Sequence, residues 1–191
     1  ILKQDKKKLL VIWPYPEGVA AGQRLKYEQY FDSWRGANYE LEVSSFADLA
    51  FWNILYIKGK YLLKIKGILS GYLRRVSILF SLKKYDVVYI YMWVSPVGTT
   101  LFERLIRLLS QKLIYDFDDF VHSEASPLNQ TFLSSVIRTL KGGQRKTNYL
   151  IKHADHVIIS SPFHLNYCKD LNLKNSCDYI PCSLDTNYIV P

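Results

Sequence analysis

The chain of 191 residues has a mass of 22.3 kDa, is 49% hydrophobic and 22% charged, and carries a formal net charge of +8. That balance excludes a disordered, collagen-like or low-complexity chain, and the length suits one domain with its own core rather than two. No apolar run approaches the roughly 18–20 residues of a membrane-spanning helix. The three cysteines, Cys168, Cys177 and Cys182, form no disulfide framework and fit a reducing, cytoplasmic setting. Even with His153, His156 and His164 nearby, their spacing matches no paired-cysteine zinc pattern, so no metal is expected.

Ile1 to Lys8 is polar and basic and does not read as a secretory signal. Leu9 to Trp13 follows as a short apolar run, the first expected strand. The segment from Pro14 to Arg24 then holds Gly18 and Gly22 between a strand and a helix. Such a loop either lets backbone N–H groups approach an anion, with Arg24 as a partner for phosphate, or is a turn that needs glycine conformations. It matches neither the dinucleotide fingerprint nor the P-loop. Ala20, Tyr27, Tyr30, Phe31 and Trp34 share one helical stripe that stops at Gly36, and the alternation of Tyr39 to Val43 suits a more exposed strand.

Between Asp48 and Asp86 there is no acidic residue, while Lys58, Lys60, Lys64, Lys66, Arg74, Arg75, Lys83 and Lys84 all fall there. Leu62, Ile65, Leu69, Tyr72, Leu73, Val76, Leu79 and Phe80 recur at helical spacing, with Lys60, Lys64, Arg74 and Arg75 expected on the opposite side. Gly67 and Gly71 either split this helix or mark a close backbone contact. A helix packed on the core with a solvated basic face, or one seated on an anionic membrane surface through residues 57–84, accounts for the pattern. Nucleic acid is not expected, since no base-stacking or groove-reading motif accompanies the charge.

Val87 to Tyr91 reads as a strand, and Leu101 to Leu109 as a helix with Glu103, Arg104 and Arg107 pointing away from its apolar side. Leu113 to Tyr115 is a strand that runs into Asp116, Asp118 and Asp119, followed by His122. Carboxylates so close together repel, and burial would raise a pKa. The cluster therefore suits binding or proton transfer at a sugar hydroxyl, metal coordination, or a helix cap on a solvated acidic turn. A helix from Leu128 to Leu140, a break at Gly142-Gly143, a short helix ending near Ala154, a strand at Val157 to Ile159, a helix from Pro162 to Leu171 and a strand at Tyr179 to Ile180 complete the chain. Strands alternating with helices specify a single α/β domain over residues 1–191, with a doubly wound, mainly parallel sheet and helices on both faces. In such a sheet, ligands bind outside the carboxyl ends of the strands.

Four segments in order carry a resemblance: YDVVYIY from Tyr85 to Tyr91, KLIYDFDD from Lys112 to Asp119, ADHVIISS from Ala154 to Ser161, and YIPCSLD from Tyr179 to Asp185. Together they resemble the amino-terminal domain of the family-four, retaining glycosyltransferases of the GT-B fold, in which two Rossmann-like domains face each other across a cleft. Cys182-Ser183 stands where the family usually has Asn-Gly, and Gly18-Val19-Ala20-Ala21-Gly22 replaces paired glycines.

The resemblance implies sugar transfer with retention from a nucleotide-sugar to a glycan or lipid-linked acceptor, in surface polysaccharide synthesis at the inner face of the membrane. It implies no metal and no cofactor beyond the nucleotide-sugar. That donor would be held mainly by a carboxy-terminal domain, with its E-x7-E element, beyond Pro191; the chain, which lacks an initiator Met, is expected to be the acceptor-side fragment. By the same resemblance Asp118 or Asp119 orients or deprotonates the acceptor hydroxyl. Trp93, Ser95 and Ser160 are expected on the acceptor side by position alone, with His122 sharing a proton with the acids there; the resemblance sets Gly18 and Gly22 at the donor phosphates, with Arg24 beside them on the first helical turn. A metal-dependent D-x-D glycosyltransferase built on Asp116 and Asp118, and a non-catalytic Rossmann-like binding module, are the alternatives.

Overall fold

A computed structural model describes residues 6–118 and 143–183. Asp119, His122 and the helix expected from Leu128 to Leu140 lie outside the described residues. Six strands, β1 (Lys7–Trp13), β2 (Tyr39–Ser45), β3 (Val87–Tyr91), β4 (Leu113–Phe117), β5 (His156–Ile159) and β6 (Cys177–Tyr179), form one sheet. All neighbours are parallel, in the order β2-β1-β3-β4-β5-β6.

The period-two alternation of side chains divides each central strand between two cores. Leu10, Ile12, Val88, Ile90, Tyr115, Phe117, Val157 and Ile159 face one layer, where α4 (Tyr61–Ser81), α5 (Leu101–Leu109), α6 (Gly143–His153) and α7 (Leu165–Leu171) pack. Leu9, Val11, Trp13, Tyr89 and Tyr91 face the other, covered by Tyr27, Phe31 and Trp34 of the segment that carries α1 (Ala21–Lys26) and α2 (Phe31–Gly36). Helices on both faces of a parallel sheet make the fold doubly wound and Rossmann-like, as the alternation of segments implied. The α1 and α2 stripe is interrupted at Tyr27, whose φ of −149° leaves the helical region, and a 3-10 turn at Glu28–Tyr30 joins the two pieces.

The helix α3 (Leu49–Leu55) has no counterpart among the expected elements. Asp48 caps it, accepting the Phe51 N–H at 2.7 Å. The α4 helix forms where periodicity placed it, but its faces are the reverse of those expected. Gly67, Gly71 and Arg75, four residues apart, are the buried side, whereas Leu62, Ile65, Leu69, Leu73, Val76 and Phe80 are exposed. The glycines set this orientation. A Cβ on Gly71 would stand 2.6 Å from the Phe46 ring, and one on Gly67 would stand 2.4 Å from the ring of Phe51.

Arg75, expected on a solvated face, is fully buried and ties the top of the sheet together. It donates to the Trp13 carbonyl at 2.8 Å, the Val94 carbonyl at 2.7 Å, and the Ser44 hydroxyl at 2.9 Å and carbonyl at 3.3 Å. Burial, seconded by Arg74 and opposed by Glu103, pushes its guanidinium down to about 9, so it remains charged at neutral pH. Among the described residues no helix is long and apolar enough to cross a membrane.

Candidate functional site

The chain leaves β1 for β2 on one side and later returns to β3 on the other. The order therefore reverses between β1 and β3, and the carboxyl ends of these strands border the crevice where ligands of such sheets bind. Met92 turns the chain sharply there, with a φ of 58°, in the left-handed region a side chain seldom adopts. Its N–H donates to the Asp116 carbonyl at 2.9 Å, and its carbonyl accepts the Tyr115 hydroxyl at 2.9 Å.

Asp116 and Asp118 are two residues apart on β4 and just past its end, so both carboxylates point to the face covered by α1. Parallel register sets Tyr91 beside Asp116 and Ile158 on its other side, which brings Ser160 alongside Asp118. From α1, Lys26 reaches both acids: its ammonium forms an ion pair with Asp116 and lies 2.9 Å from Asp118 Oδ1. Tyr89 donates to Asp116, Tyr91 donates to Asp118, and Ser160 Oγ donates to Asp118 Oδ1 at 2.9 Å.

The two acids differ in solvation. Asp116 is buried, and burial pushes its carboxyl up to about 6, against the pull of Lys26 and the Tyr89 hydroxyl. Burial likewise raises Tyr89 and Tyr91, with the acids they touch acting in the same direction, so both phenols stay protonated donors. The Asp118 side chain is 23% exposed at the rim. A carboxylate has about four acceptor positions; Lys26, Tyr91 and Ser160 occupy three, and the exposed Cys182 thiol takes the fourth only weakly, at 4.0 Å from Oδ1, so a hydroxyl arriving from the rim would replace the thiol.

Other residues close the rim. A Cβ on Gly22 would lie 3.0 Å from the Tyr91 hydroxyl and 3.4 Å from Asp118 Oδ2, so this position of α1 is kept bare beside the acid. Cys182 is exposed, with Sγ 4.0 Å from both Asp118 Oδ1 and Ser160 Oγ. Ser183 meets the opposite wall, its carbonyl accepting from Gln29 Nε2 at 2.8 Å and its hydroxyl bonding Tyr30.

Of the residues expected in the site, Asp118, Ser160 and Gly22 are thus brought together. Gly18 lies apart in the turn after β1, with φ of 80°, and its N–H is committed to the Glu28 carboxylate at 3.0 and 3.2 Å. The buried Gln23 side chain holds this turn, donating to Glu28 at 3.1 Å and to the Tyr15 carbonyl at 3.3 Å, and accepting the Tyr15 N–H at 3.2 Å. Any anion reaching Gly18 must displace Glu28. Arg24 is exposed on α1.

Trp93 is half-buried, edge-on to Phe46 and Tyr15 with ring centroids 5.8 and 6.1 Å away, and forms an aromatic wall with them beyond β1. Ser95 is not at the rim. It is buried, and its hydroxyl and carbonyl each accept from the Lys146 ammonium at 2.9 Å. The residues that sequence reasoning overlooked are Lys26, Tyr89 and Tyr91. Lys26 falls on the same helical stripe as Gln23, Tyr27 and Tyr30, and a lysine among core-facing positions is itself a sign of a buried acidic partner.

Among the described residues no group of three or more His, Cys, Asp or Glu side chains is arranged to hold a metal ion. The place between Asp116 and Asp118 that a bridging cation would need is taken by the Lys26 ammonium. No protein-family model matches the chain, and no curated protein matches it significantly.

Proposed function

We propose that this chain is the acceptor-side domain of a nucleotide-sugar-dependent glycosyltransferase that presents a hydroxyl of a glycan or lipid-linked acceptor at Asp118. The observation that carries the reading is a partly exposed carboxylate at the carboxyl edge of a doubly wound sheet, fixed by Lys26, Tyr91 and Ser160 and, among the described residues, met from the rim only by the weakly donating Cys182 thiol. A carboxylate so held is pre-oriented, and orientation of an acceptor hydroxyl relative to a sugar donor is worth orders of magnitude in rate. In this reading Asp118 accepts the acceptor hydroxyl, Tyr91 and Ser160 keep the carboxylate in place, and Trp93 with Tyr15 offers an apolar wall to the sugar ring. The nucleotide-sugar is held chiefly by a second domain, and retention follows from the family resemblance. The D-x-D alternative is disfavoured, because a divalent ion on Asp116 and Asp118 would have to expel a buried ammonium.

The test is sugar transfer by the parent protein against a panel of nucleotide-sugars. Asp118→Ala should lower kcat/KM by about 100-fold while the circular dichroism spectrum is unchanged. Wild-type turnover in that variant removes Asp118 from the reaction. A chain that binds glycans but transfers from no donor is instead a binding module.

A further inference from the structure

We infer that the hairpin of α3 and α4 is a docking surface for an anionic lipid bilayer, with the outward stripe of α4 lying in the interfacial plane. Leu62, Ile65, Leu69, Leu73, Val76 and Phe80 recur every three or four residues and fall within one narrow stripe, opposite the buried Gly67, Gly71 and Arg75. They are well exposed: Leu62 is 84%, Leu73 69% and Phe80 88% accessible. A soluble helix normally turns such a stripe to the core, but here the glycines and Arg75 take the core side and leave the leucines out. From Leu62 to Phe80 the stripe runs about 27 Å.

The charge around it selects the occupant. Of the eight basic residues between Asp48 and Asp86, Arg75 is consumed inside the sheet, Arg74 pairs with Asp48 at 3.2 Å, and Lys84 pairs with Glu42 at 3.1 Å. Lys58, Lys60 and Lys66 are exposed, make no ion pair among the described residues and gather at the amino end of α4 with exposed Tyr56, Ile57, Tyr61 and Leu63, while Lys64 is half-buried on the side of Gly67 and Gly71. That end also carries the positive pole of the helix dipole. An apolar stripe with a cluster of lysines and no acidic residue suits phospholipid headgroups above acyl chains. A second copy of the chain would answer lysines with lysines, and a nucleic acid would leave the leucines wet.

The placement gives the surface a use. Arg75 bonds the carboxyl ends of β1 and β2, so it marks the level of the sheet edge, and the part of α4 before it stands beyond that edge. Asp118 opens on the same edge. Edge-on aromatic contacts of 5.9, 5.1 and 6.1 Å link Tyr56 to Trp52, Trp52 to Tyr15 and Tyr15 to Trp93, an apolar track from the hairpin tip towards the crevice.

The experiment needs neither donor nor acceptor, so its failure is separate from a failure of the role given to Asp118. The chain is sedimented with vesicles of phosphatidylcholine, with or without phosphatidylglycerol, across a range of salt. It should pellet with the anionic vesicles only, and less as salt rises. Leu69→Ser/Leu73→Ser, and separately Lys58→Ala/Lys60→Ala/Lys66→Ala, should each weaken binding by about tenfold or more with unchanged circular dichroism, since every altered side chain is exposed. The proposal is overturned if the wild type stays in the supernatant, if either variant pellets as the wild type does, or if the leucine pair instead abolishes a dimer seen by sedimentation equilibrium.

Discussion

Lys26 is the residue on which the interior of the site depends. Its ammonium is almost completely buried between Asp116 and Asp118, and nothing else of positive charge among the described residues pairs with either acid. Breaking a buried pair from one side leaves an uncompensated charge, so Lys26→Met should destabilise the fold at pH 7.5 by about 3–5 kcal/mol. The loss should depend on pH with a definite sign. Asp116 titrates at about 6 in the fold, above an ordinary aspartate, so its proton is bound more tightly folded than unfolded. Its contribution to stability is therefore full at low pH and is lost as pH rises through about 6; without Lys26 that window moves higher still. Urea denaturation should accordingly find the gap between wild type and variant much smaller at pH 5 than at pH 7.5. Adding Asp116→Asn to Lys26→Met should close most of the gap and remove its pH dependence. An equal gap at both pH values would mean that the ammonium is not what holds Asp116 ionised.

At the scale of elements, α4 shows what periodicity reveals and what it does not. The spacing of its leucines marks a helix, and the strands at Val87–Tyr91 and Leu113–Phe117 are equally plain because buried parallel strands are continuous apolar runs. Which face of α4 turns inward is decided by something a hydrophobic pattern omits, the approach distance that glycine permits. Gly71 lets the helix close on Phe46, whose N–H donates to the Trp13 carbonyl at 2.9 Å and whose carbonyl accepts from Arg74 at 2.7 Å, so that backbone has no room to yield. Gly71→Ala would gain about 1 kcal/mol in intrinsic helix propensity. The new Cβ would nevertheless lie 2.8 Å from the Phe46 carbonyl oxygen, and the net change should be a loss of about 1–3 kcal/mol. Gly36→Ala at the end of α2 is the control, since nothing lies within 4 Å of its added Cβ and its φ is not positive. Thermal unfolding should show Gly71→Ala several degrees below wild type and Gly36→Ala level with it or above; a neutral Gly71→Ala would mean that the helix can shift outward at no cost.

Across the whole molecule, the doubly wound parallel sheet was legible, because alternating strand-like and helical segments imply it whatever the loops contain. The acidic cluster at one strand's end was legible as three aspartates, Asp116, Asp118 and Asp119, of which Asp116 and Asp118 are among the described residues. Their division into a buried, lysine-bound Asp116 and a rim-exposed Asp118 was not, since Lys26 is separated from Asp116 by 90 residues and no local pattern joins them. The same is true of Arg75. From a helix far along the chain it donates to Trp13, Ser44 and Val94, fastening the ends of β1 and β2 to the loop after β3. Those three points lie at the carboxyl edge of the sheet, so the shape of that edge is set by a residue from a helix far along the chain. Lysine cannot reproduce a planar fork of donors, and Arg75→Lys should leave carbonyls at the sheet edge without partners, each costing about 1–3 kcal/mol. The damage should be local before it is global. The amides of Phe46 and Ala47, which donate to the Trp13 and Pro14 carbonyls at 2.9 and 3.0 Å, should exchange with solvent much faster, while those of β4 and β5 keep most of their protection. If exchange instead rises evenly along the chain, Arg75 serves the stability of the whole fold and not the geometry of the sheet's carboxyl edge.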